Sequence, residues 1–386
     1  MEFIDLAAQQ RRIFGSLDER IKSVLSHGQY ILGPEVKELE AMLASYVGVK
    51  HAVGCASGTD ALLMALMAYD VKPGDAILTT PFTFIAAAEV ISLLGATPVF
   101  VDIDPRTFNI APDALVEAIS ALRSANQRSY PLPRNSGDGK LVPRGIVAVD
   151  LFGLPADYKT INQVARQHGL FVIEDAAQSF GAELGGCKAC SLTDVGCTSF
   201  FPAKPLGCYG DGGMCFTNDD KLAESVRSIS VHGKGWHKYD NVRIGINGRL
   251  DTLQAAILLA KFEVFREEIE ARQDVAIRYT KLLAGMDSFL TPRVPQGMKS
   301  AWAQYSLLAS GEEHRSELQK RLNQAEIPHA VYYPKSLHLQ DAFRHLGYRE
   351  GDFPISEDVS RRIFSVPMHP YLSAEDQQRV ARALTG

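Results

Sequence analysis

The residues best suited to chemistry are an acid and an amine, Asp175 and Lys204. The apolar run at residues 170–173 is typical of a buried strand, and the acidic pair Glu174-Asp175 follows it directly. Functional groups collect just beyond the carboxyl ends of strands in open α/β sheets, so Asp175 is expected where chemistry is usually done. Lys204 follows a second short strand and stands before Pro205 and a glycine-rich turn. We therefore expect a kinked backbone, rather than a helix, to hold this lysine.

The two groups together suit one cofactor. A lysine amine can form a Schiff base with an aldehyde, and a carboxylate can pair with a protonated pyridine nitrogen, which are the protein groups that pyridoxal 5′-phosphate (PLP) requires. The carboxylate must stay ionised in this role, and a neighbouring cation favours that state. Residue types alone leave another interpretation open, in which Lys204 is a solvated loop lysine and Asp175 caps a helix.

The elements around the pair add a candidate anion site. A hydrophobic helix is expected to begin near Gly58 and Thr59, in the run SGTDAL. Free backbone N–H groups and the positive end of the helix dipole attract anions at such a position. With an amine downstream we favour a phosphate here, but an ordinary capped helix start has the same sequence. A later helix is expected from Asp251, with Asn247 and Arg249 just ahead of it.

Composition narrows the classes of function. The 386 residues are 46% apolar and 22% charged, values typical of a globular protein that can bury a sizeable core. A net charge of -5 gives no electrostatic reason to expect nucleic acid or an anionic membrane surface as a partner. No apolar run approaches the ~20 residues that span a bilayer, so we expect a cytoplasmic protein.

The six cysteines are expected to be free thiols. Cys187 and Cys190 form a C-x-x-C pair, which raises the question of a redox or metal site. Because the sequence has no second such pair, and because the surrounding glycines indicate a hairpin turn, we expect neither and predict no metal site.

A resemblance to a known family covers nearly the whole chain. The segments that carry it stand in the family's order and include SGTDAL, TTPFTFIAAAEV, EDAAQSFGA, TSFFPAKPLG, GDGGMCFTND and GINGRLDTLQAAIL. They resemble the DegT/DnrJ/EryC1/StrS sugar aminotransferases. The resemblance implies the α/β fold of aspartate aminotransferase (fold type I) and a homodimer. It also implies a large PLP-binding domain over residues 1–291 and a smaller C-terminal α+β domain over residues 292–386.

The same resemblance implies the cofactor contacts. Lys204 would hold PLP and move the proton during transfer, and Asp175 would keep the ring nitrogen protonated. The other expected cofactor residues are an aromatic ring stacked on the pyridine, an amide at the phenolic oxygen, and a phosphate-binding set, namely Phe84, Gln178, and Gly58, Thr59 and Ser199 with Asn247 of the partner subunit.

Substrate contacts are implied for Tyr30, Arg249, Tyr332 and Tyr333. The family usually has His-Tyr where this chain has Tyr332-Tyr333, which leaves the sugar contacts of this loop open. From the residues alone, Tyr30 could equally be a packing residue, and Arg249 could equally form an ion pair with Asp251 or another carboxylate.

The expected reaction moves an amino group from an amino acid to a keto sugar. We expect L-glutamate as the donor, which leaves 2-oxoglutarate as its product. The runs TSFFPAKPLGCYGDGG and VPMHPYLS resemble family members that act on UDP-linked 3-oxo-N-acetylglucosaminuronate, which suggests a role in O-antigen and lipopolysaccharide biosynthesis. A C4-keto sugar, a dTDP-linked sugar or a keto-octulosonate stays open as acceptor. Sugar dehydration is disfavoured because the relatives that perform it carry histidine in place of the lysine. A non-catalytic sensor is the third alternative.

Residues 123–145 interrupt the family's usual passage from helix to strand. The stretch is polar and rich in Pro, Gly and Ser, without an apolar period. We expect a surface loop, and a role in substrate or partner contact stays open.

Overall fold

The computed structural model describes residues 1–124, 128–134, 141–237, 239–286 and 288–385. In this part of the chain the α-helices are α1 (Leu6–His27), α2 (Pro34–Val47), α3 (Gly58–Ala68), α4 (Ala86–Leu93), α5 (Pro112–Ser124), α6 (Tyr158–His168), α7 (Asp220–Ile229), α8 (Thr252–Leu282), α9 (Glu312–Gln324), α10 (Pro354–Arg362) and α11 (Ala374–Thr385). Short 3₁₀ helices span Leu151–Gly153, Leu337–Leu339 and Asp341–Leu346. The strands are β1 (His51–Cys55), β2 (Asp75–Thr79), β3 (Thr97–Phe100), β4 (Val142–Val149), β5 (Phe171–Asp175), β6 (Glu183–Leu184), β7 (Cys187–Lys188), β8 (Val195–Ser199), β9 (Gly213–Thr217), β10 (Phe289–Leu290), β11 (Met298–Lys299), β12 (Tyr305–Ala309) and β13 (Ile363–Val366).

A seven-stranded sheet organises the described part of the chain, in the order β1-β9-β8-β5-β4-β2-β3. Strands β8, β5, β4, β2 and β3 are parallel, and β9 runs antiparallel to both β1 and β8. The carboxyl ends of β1, β5 and β8 therefore meet at one edge of the sheet, where ligands bind in sheets of this kind. The expected α/β class is confirmed.

Alternate residues of the central strands pack on opposite faces of this sheet, as strand geometry requires. Ile77, Val147 and Ile173 pack with helices α3, α4 and α7 on one face. Leu78 and Ile146 pack with α5 and α6 on the other. Both faces are thus covered, which explains why these strands are continuous apolar runs rather than alternating ones.

A three-stranded sheet, β10-β12-β13, lies towards the C-terminus. Helix α8 is 31 residues long. It packs against α1 and α2 and also against the C-terminal helix α11, so it contacts both the N-terminal and the C-terminal parts of the fold. Strand β10 already pairs with β12 just ahead of residue 292. The domain division between residues 291 and 292 stays a prediction.

The described part of the 123–145 stretch differs from the expected surface loop. Tyr130 is 7% exposed, and its hydroxyl lies 3.3 Å from the Phe100 oxygen and from the Asp102 nitrogen. The Arg134 N–H donates to the Leu346 carbonyl at 2.7 Å. Residues 128–134 form a loop, as expected, but the buried side chain of Tyr130 anchors this loop in the core instead of leaving all of it on the surface. Residues 125–127 and 135–140 of the stretch lie outside the described residues.

The expected hairpin at Cys187 is present. Strands β6 and β7 pair antiparallel, and Gly185 and Gly186 turn between them with φ of 59° and 86°. All six cysteines are free thiols, as expected. Within the described residues no three His, Cys, Asp or Glu side chains are grouped so that they could hold a metal ion, and the absence of a metal site stays a prediction.

Of the helices that the structure describes, none is both long and apolar enough to cross a membrane. The cytoplasmic location stays a prediction.

Candidate functional site

Asp175 is the last residue of β5, between Val149 of β4 and Cys197 of β8. It is 7% exposed, and its carboxylate accepts a hydrogen bond from the Ala177 N–H at 3.1 Å. Burial raises the pKa of Asp175, while this hydrogen bond and the positive charge of Lys204 oppose the rise. The acid therefore lies at the sheet edge where the sequence placed it, within the electrostatic reach of the lysine.

Lys204 lies on the turn that follows β8, and its N–H donates to the Phe201 carbonyl at 2.9 Å. The residue as a whole is partly exposed, but protein atoms surround its amine. This burial lowers the pKa of Lys204, and the Asp175 carboxylate opposes the shift. A solvated loop lysine would show neither effect. A neutral amine is the nucleophilic form, so the environment favours reaction with an aldehyde.

The start of α3 forms a niche against the end of β8. Ser57 caps the helix by accepting the Asp60 N–H at 3.0 Å, which leaves the first N–H groups of the helix facing outward. A Cβ placed on Gly58 would lie 2.6 Å from the Ser199 Cβ, so the helix start fits against Ser199 only because residue 58 has no side chain. Gly58, Thr59 and Ser199, the expected phosphate residues, are thus brought together at a helix N-terminus, which suits an anion.

Topology explains this niche. Gly213 of β9 pairs with Cys55 of β1 on one side and with Ser199 of β8 on the other. Helix α3, which follows β1, therefore begins beside Gly213 and lies against the end of β8.

Asn247 and Arg249 lie on an extended segment beside β1. Asn247 pairs with Val231, and Arg249 pairs with Cys55, two residues before the cap of α3. Among the residues that the structure describes, the Arg249 Nε is buried without a hydrogen-bond partner, and Arg249 forms no ion pair with Asp251 or with another carboxylate. The ion-pair interpretation of Arg249 is therefore wrong, and a buried guanidinium nitrogen stays available.

Aromatic rings line one side of the site. Phe84 is 56% exposed, and its ring centroid lies 6.4 Å from that of Tyr333. Phe82 is fully buried, as expected of a core residue. The Gln178 amide donates to the Tyr333 hydroxyl at 3.2 Å and accepts the Phe152 N–H at 2.6 Å. Burial raises the pKa of Tyr333 well above its usual value, so its phenol is neutral.

The remaining predicted residues lie further along the rim. Tyr332 packs its ring 6.4 Å from that of Phe3. The Tyr30 carbonyl accepts the Thr252 N–H at 3.0 Å while its ring is about half exposed. In the described part of the chain, no hydrogen bond joins the side chain of Tyr30 or of Asn247 to the Lys204–Asp175 pair.

Sequence reasoning missed a buried acid behind the site. Asp150 follows β4 as Asp175 ends β5, and it is fully buried. The signal was available, because an acid at the carboxyl end of an apolar parallel strand obeys the rule that selected Asp175.

Known proteins resemble this chain over its length. The model of the DegT/DnrJ/EryC1/StrS aminotransferase family matches residues 13–385. The UDP-2-acetamido-2-deoxy-3-oxo-D-glucuronate aminotransferase of Pseudomonas aeruginosa is 46% identical over 385 residues, covering 100% of this chain and 99% of that protein. A pleiotropic regulatory protein of Geobacillus stearothermophilus is 42% identical, covering 99% of this chain and 96% of that protein. The crystal structure of a DegT/DnrJ/EryC1/StrS aminotransferase from Brucella abortus superposes with a TM-score of 0.93 at 48% identity, covering 100% of this chain and 99% of that one.

Proposed function

Because the chain belongs to the DegT/DnrJ/EryC1/StrS aminotransferase family, we propose that it moves an amino group from an amino acid to a UDP-linked 3-oxo sugar. The chain is a sugar aminotransferase that depends on PLP, and its fold is fold type I. The observation that carries the proposal is the buried Asp175 with the Lys204 amine in its electrostatic reach, at the carboxyl edge of the large sheet.

The residues present fit PLP at each of its polar groups. The amine of Lys204 would bond to the aldehyde, and the Asp175 carboxylate would pair with the pyridine nitrogen. The niche that Gly58 leaves open against Ser199 would take the phosphate, and the exposed ring of Phe84 could cover the pyridine face. When bound, PLP supplies an aldehyde that carries the amino group and a ring that spreads negative charge from the carbon losing a proton.

Three side chains of the protein then have separate roles in the proposed reaction. The free amine of Lys204 would take the proton from the α-carbon of the donor amino acid as a general base and would deliver it, as a general acid, to the aldehyde carbon of the cofactor. Burial lowers its pKa, so the neutral, basic form is populated nearer to neutral pH. Asp175 stabilises positive charge at the ring nitrogen. Gln178 is held at both ends of its amide by Phe152 and Tyr333, and its remaining N–H can be directed at the phenolic oxygen.

We infer a homodimer from the exposed apolar side chains of the chain. Trp236 and Ile244 are 92% and 85% exposed, and Phe84 and Phe201 are each more than half exposed. Apolar surface of this kind marks an interaction site. A second copy would cover it and would bring Asn247 of the partner subunit to the phosphate niche. Sedimentation velocity should give a dimer, and a stable monomer that binds PLP tightly would contradict this inference.

The acceptor is inferred from the named relative and from one unpaired cation. The Pseudomonas aeruginosa relative acts, by its name, on a UDP-linked 3-oxo-glucuronate. The buried Nε of Arg249, which lacks a partner in the described chain, suits the carboxylate or diphosphate of such a sugar. We take L-glutamate as donor and 2-oxoglutarate as its product, with the amino sugar serving O-antigen and lipopolysaccharide assembly.

The test is a pair of half-reactions. L-Glutamate added to the PLP form should bleach the visible absorbance of lysine-bound cofactor, and a UDP-linked 3-oxo sugar should restore it. C4-keto and dTDP-linked keto sugars are the matched acceptors. Restoration by one of these, without restoration by any UDP-linked 3-oxo sugar, would overturn the substrate proposal but leave the aminotransferase standing.

The name of the Geobacillus relative raises a purely regulatory role. Such a protein needs no amine that can leave and re-form its bond to the cofactor, whereas Lys204 is present and buried here. Complete inertness of the PLP form toward amino donors would favour the regulatory role.

A further inference from the structure

Asp150 lies one strand away from the cofactor acid and is joined to it through the main chain. Its N–H donates to the Asp175 carbonyl at 3.1 Å, where β4 and β5 end side by side. Its side chain is fully buried. No step of the proposed reaction uses this carboxyl group.

The Asp150 carboxylate accepts hydrogen bonds from two separate segments of the chain. Its Oδ1 accepts the Ala156 N–H at 2.9 Å and the Tyr158 hydroxyl at 2.7 Å, at the start of α6. Its Oδ2 accepts the Ser179 hydroxyl at 2.6 Å. A buried carboxylate is retained only where hydrogen bonds satisfy it, so three short bonds to one group indicate a fixed geometry.

One of these contacts, the bond from Ser179, belongs to the turn that follows Asp175. Residues 176–179 run directly from Asp175. Within the turn, Ala177 donates to the Asp175 carboxylate, and Ser179 hydrogen-bonds Asp150. Gln178 lies between them and accepts the N–H of Phe152, two residues after Asp150. The segment 150–152 thus contacts this turn at three points: the Asp150 N–H bonds the Asp175 carbonyl, the Asp150 carboxylate bonds Ser179, and the Phe152 N–H bonds the Gln178 side chain.

We propose that Asp150 is a positioning residue that sets the orientation of Asp175 and Gln178 toward the cofactor ring. The inference rests on the proposed function, since that function places the ring against these two side chains. Asp150 does not touch the ring or the substrate in this assignment.

A second buried acid offers a matched control. Glu174 is as deeply buried as Asp150 and neighbours Asp175 on β5. Its oxygens accept the Cys190 N–H at 2.6 Å and the Leu192 N–H at 3.1 Å, away from the 176–179 turn. Burial and the nearby charge of Asp150 raise the pKa of Glu174. Glu174→Gln therefore alters a buried acid beside Asp175 without removing a hydrogen bond to the 176–179 turn.

The test compares Asp150→Asn, Ser179→Ala and Glu174→Gln in the full-length chain. The measurements are the dissociation constant of PLP by absorbance titration, the visible circular dichroism of bound PLP, which reports ring orientation, and the melting temperature without cofactor. Removing the hydrogen-bond partner of a metal ligand typically costs about 10-fold or more in metal affinity, and we take that size as the guide for a residue that orients the PLP contacts. We expect at least that loss, with altered dichroism, for Asp150→Asn and Ser179→Ala, and wild-type values for Glu174→Gln.

Wild-type PLP affinity and dichroism in a folded Asp150→Asn variant would overturn the inference. If that variant does not fold, Ser179→Ala decides alone, because it removes only the bond between the carboxylate and the turn. Equal loss in Glu174→Gln would also overturn it, since general damage to the buried acids would then suffice. A wild-type chain that binds no PLP would instead refute the proposed function itself.

Discussion

Replacing Gly58 by alanine should weaken PLP binding while leaving the fold in place. The new methyl would lie 2.6 Å from the Ser199 Cβ and 3.1 Å from its Cα. Carbon atoms pack at about 3.5–4.0 Å, so Ser199 would have to retreat by roughly 1 Å. Ser199 ends β8 and is partly exposed, so it can move, and the movement opens the niche that we assign to the phosphate.

The size of the effect follows from two opposing contributions. Overpacking costs about 1–3 kcal/mol, whereas alanine in place of glycine in a helix returns about 1 kcal/mol. The net cost, up to about 2 kcal/mol, corresponds to a change of up to roughly 30-fold in an equilibrium constant. Because the strain is relieved by moving the end of a strand rather than by unfolding, we expect it in the PLP dissociation constant and not in the melting temperature without cofactor.

The matched control is Gly15→Ala in α1. Gly15 is an exposed helical glycine with no neighbouring atom within 4 Å of the added methyl. Its substitution should raise stability slightly and leave PLP binding unchanged. The reasoning about the niche fails if Gly58→Ala binds PLP as tightly as the wild type, or if Gly15→Ala weakens binding to the same degree.

Three further predictions concern chemistry, domain contact and acid stability. Lys204→Arg keeps a cation near Asp175 but cannot bond covalently to an aldehyde, so it should fold, lose the absorbance of lysine-bound PLP and lose transamination; visible absorbance like that of the wild type would argue against Lys204. Asp102 accepts the first N–H groups of α10 at 3.0 and 2.9 Å, so Asp102→Ala should lower the free energy of unfolding by about 1–2 kcal/mol in denaturant melts, and an unchanged midpoint would contradict the capping role. Burial and the nearby Arg272 lower the pKa of His369 to about 4. The unfolded chain, with a histidine pKa of about 6.5, then binds the extra proton as pH falls through this window, so stability should fall by up to about 3 kcal/mol between pH 6.5 and 4. His369→Gln should flatten this part of the stability profile, and an equally steep profile would assign the loss to other groups.

Local sequence rules were enough for the groups at the ends of regular elements. Asp175 follows an apolar strand, and Gly58 begins a hydrophobic helix, so strand-end and helix-start chemistry located both before any tertiary contact was known. Tyr130 was misjudged by the same local reasoning. Its neighbours are polar and its stretch has no period, and only its contacts with Phe100 and Asp102 show that it belongs to the core.

Contacts between distant segments were beyond those rules. The fit of Gly58 against Ser199 depends on β9 lying between β1 and β8, which no pattern near either residue encodes. The same holds for the hydrogen bond between Gln178 and Tyr333, two site residues that lie far apart in the sequence. The family resemblance named these residues without giving the physical reason that brings them together.

Asp150 and Asp175 show what separates a reacting acid from a supporting one. Both stand at carboxyl ends of neighbouring parallel strands, both are buried, and burial raises the pKa of both. The difference lies in what faces them. Asp150 is surrounded by the hydroxyls of Tyr158 and Ser179, which use up its oxygens. Asp175 has one backbone donor and the charge of Lys204, so its carboxylate keeps an unfilled side toward the amine. A carboxylate whose hydrogen-bonding capacity is already used within the protein can position but cannot bind, and the open one is where a cationic ring can be held.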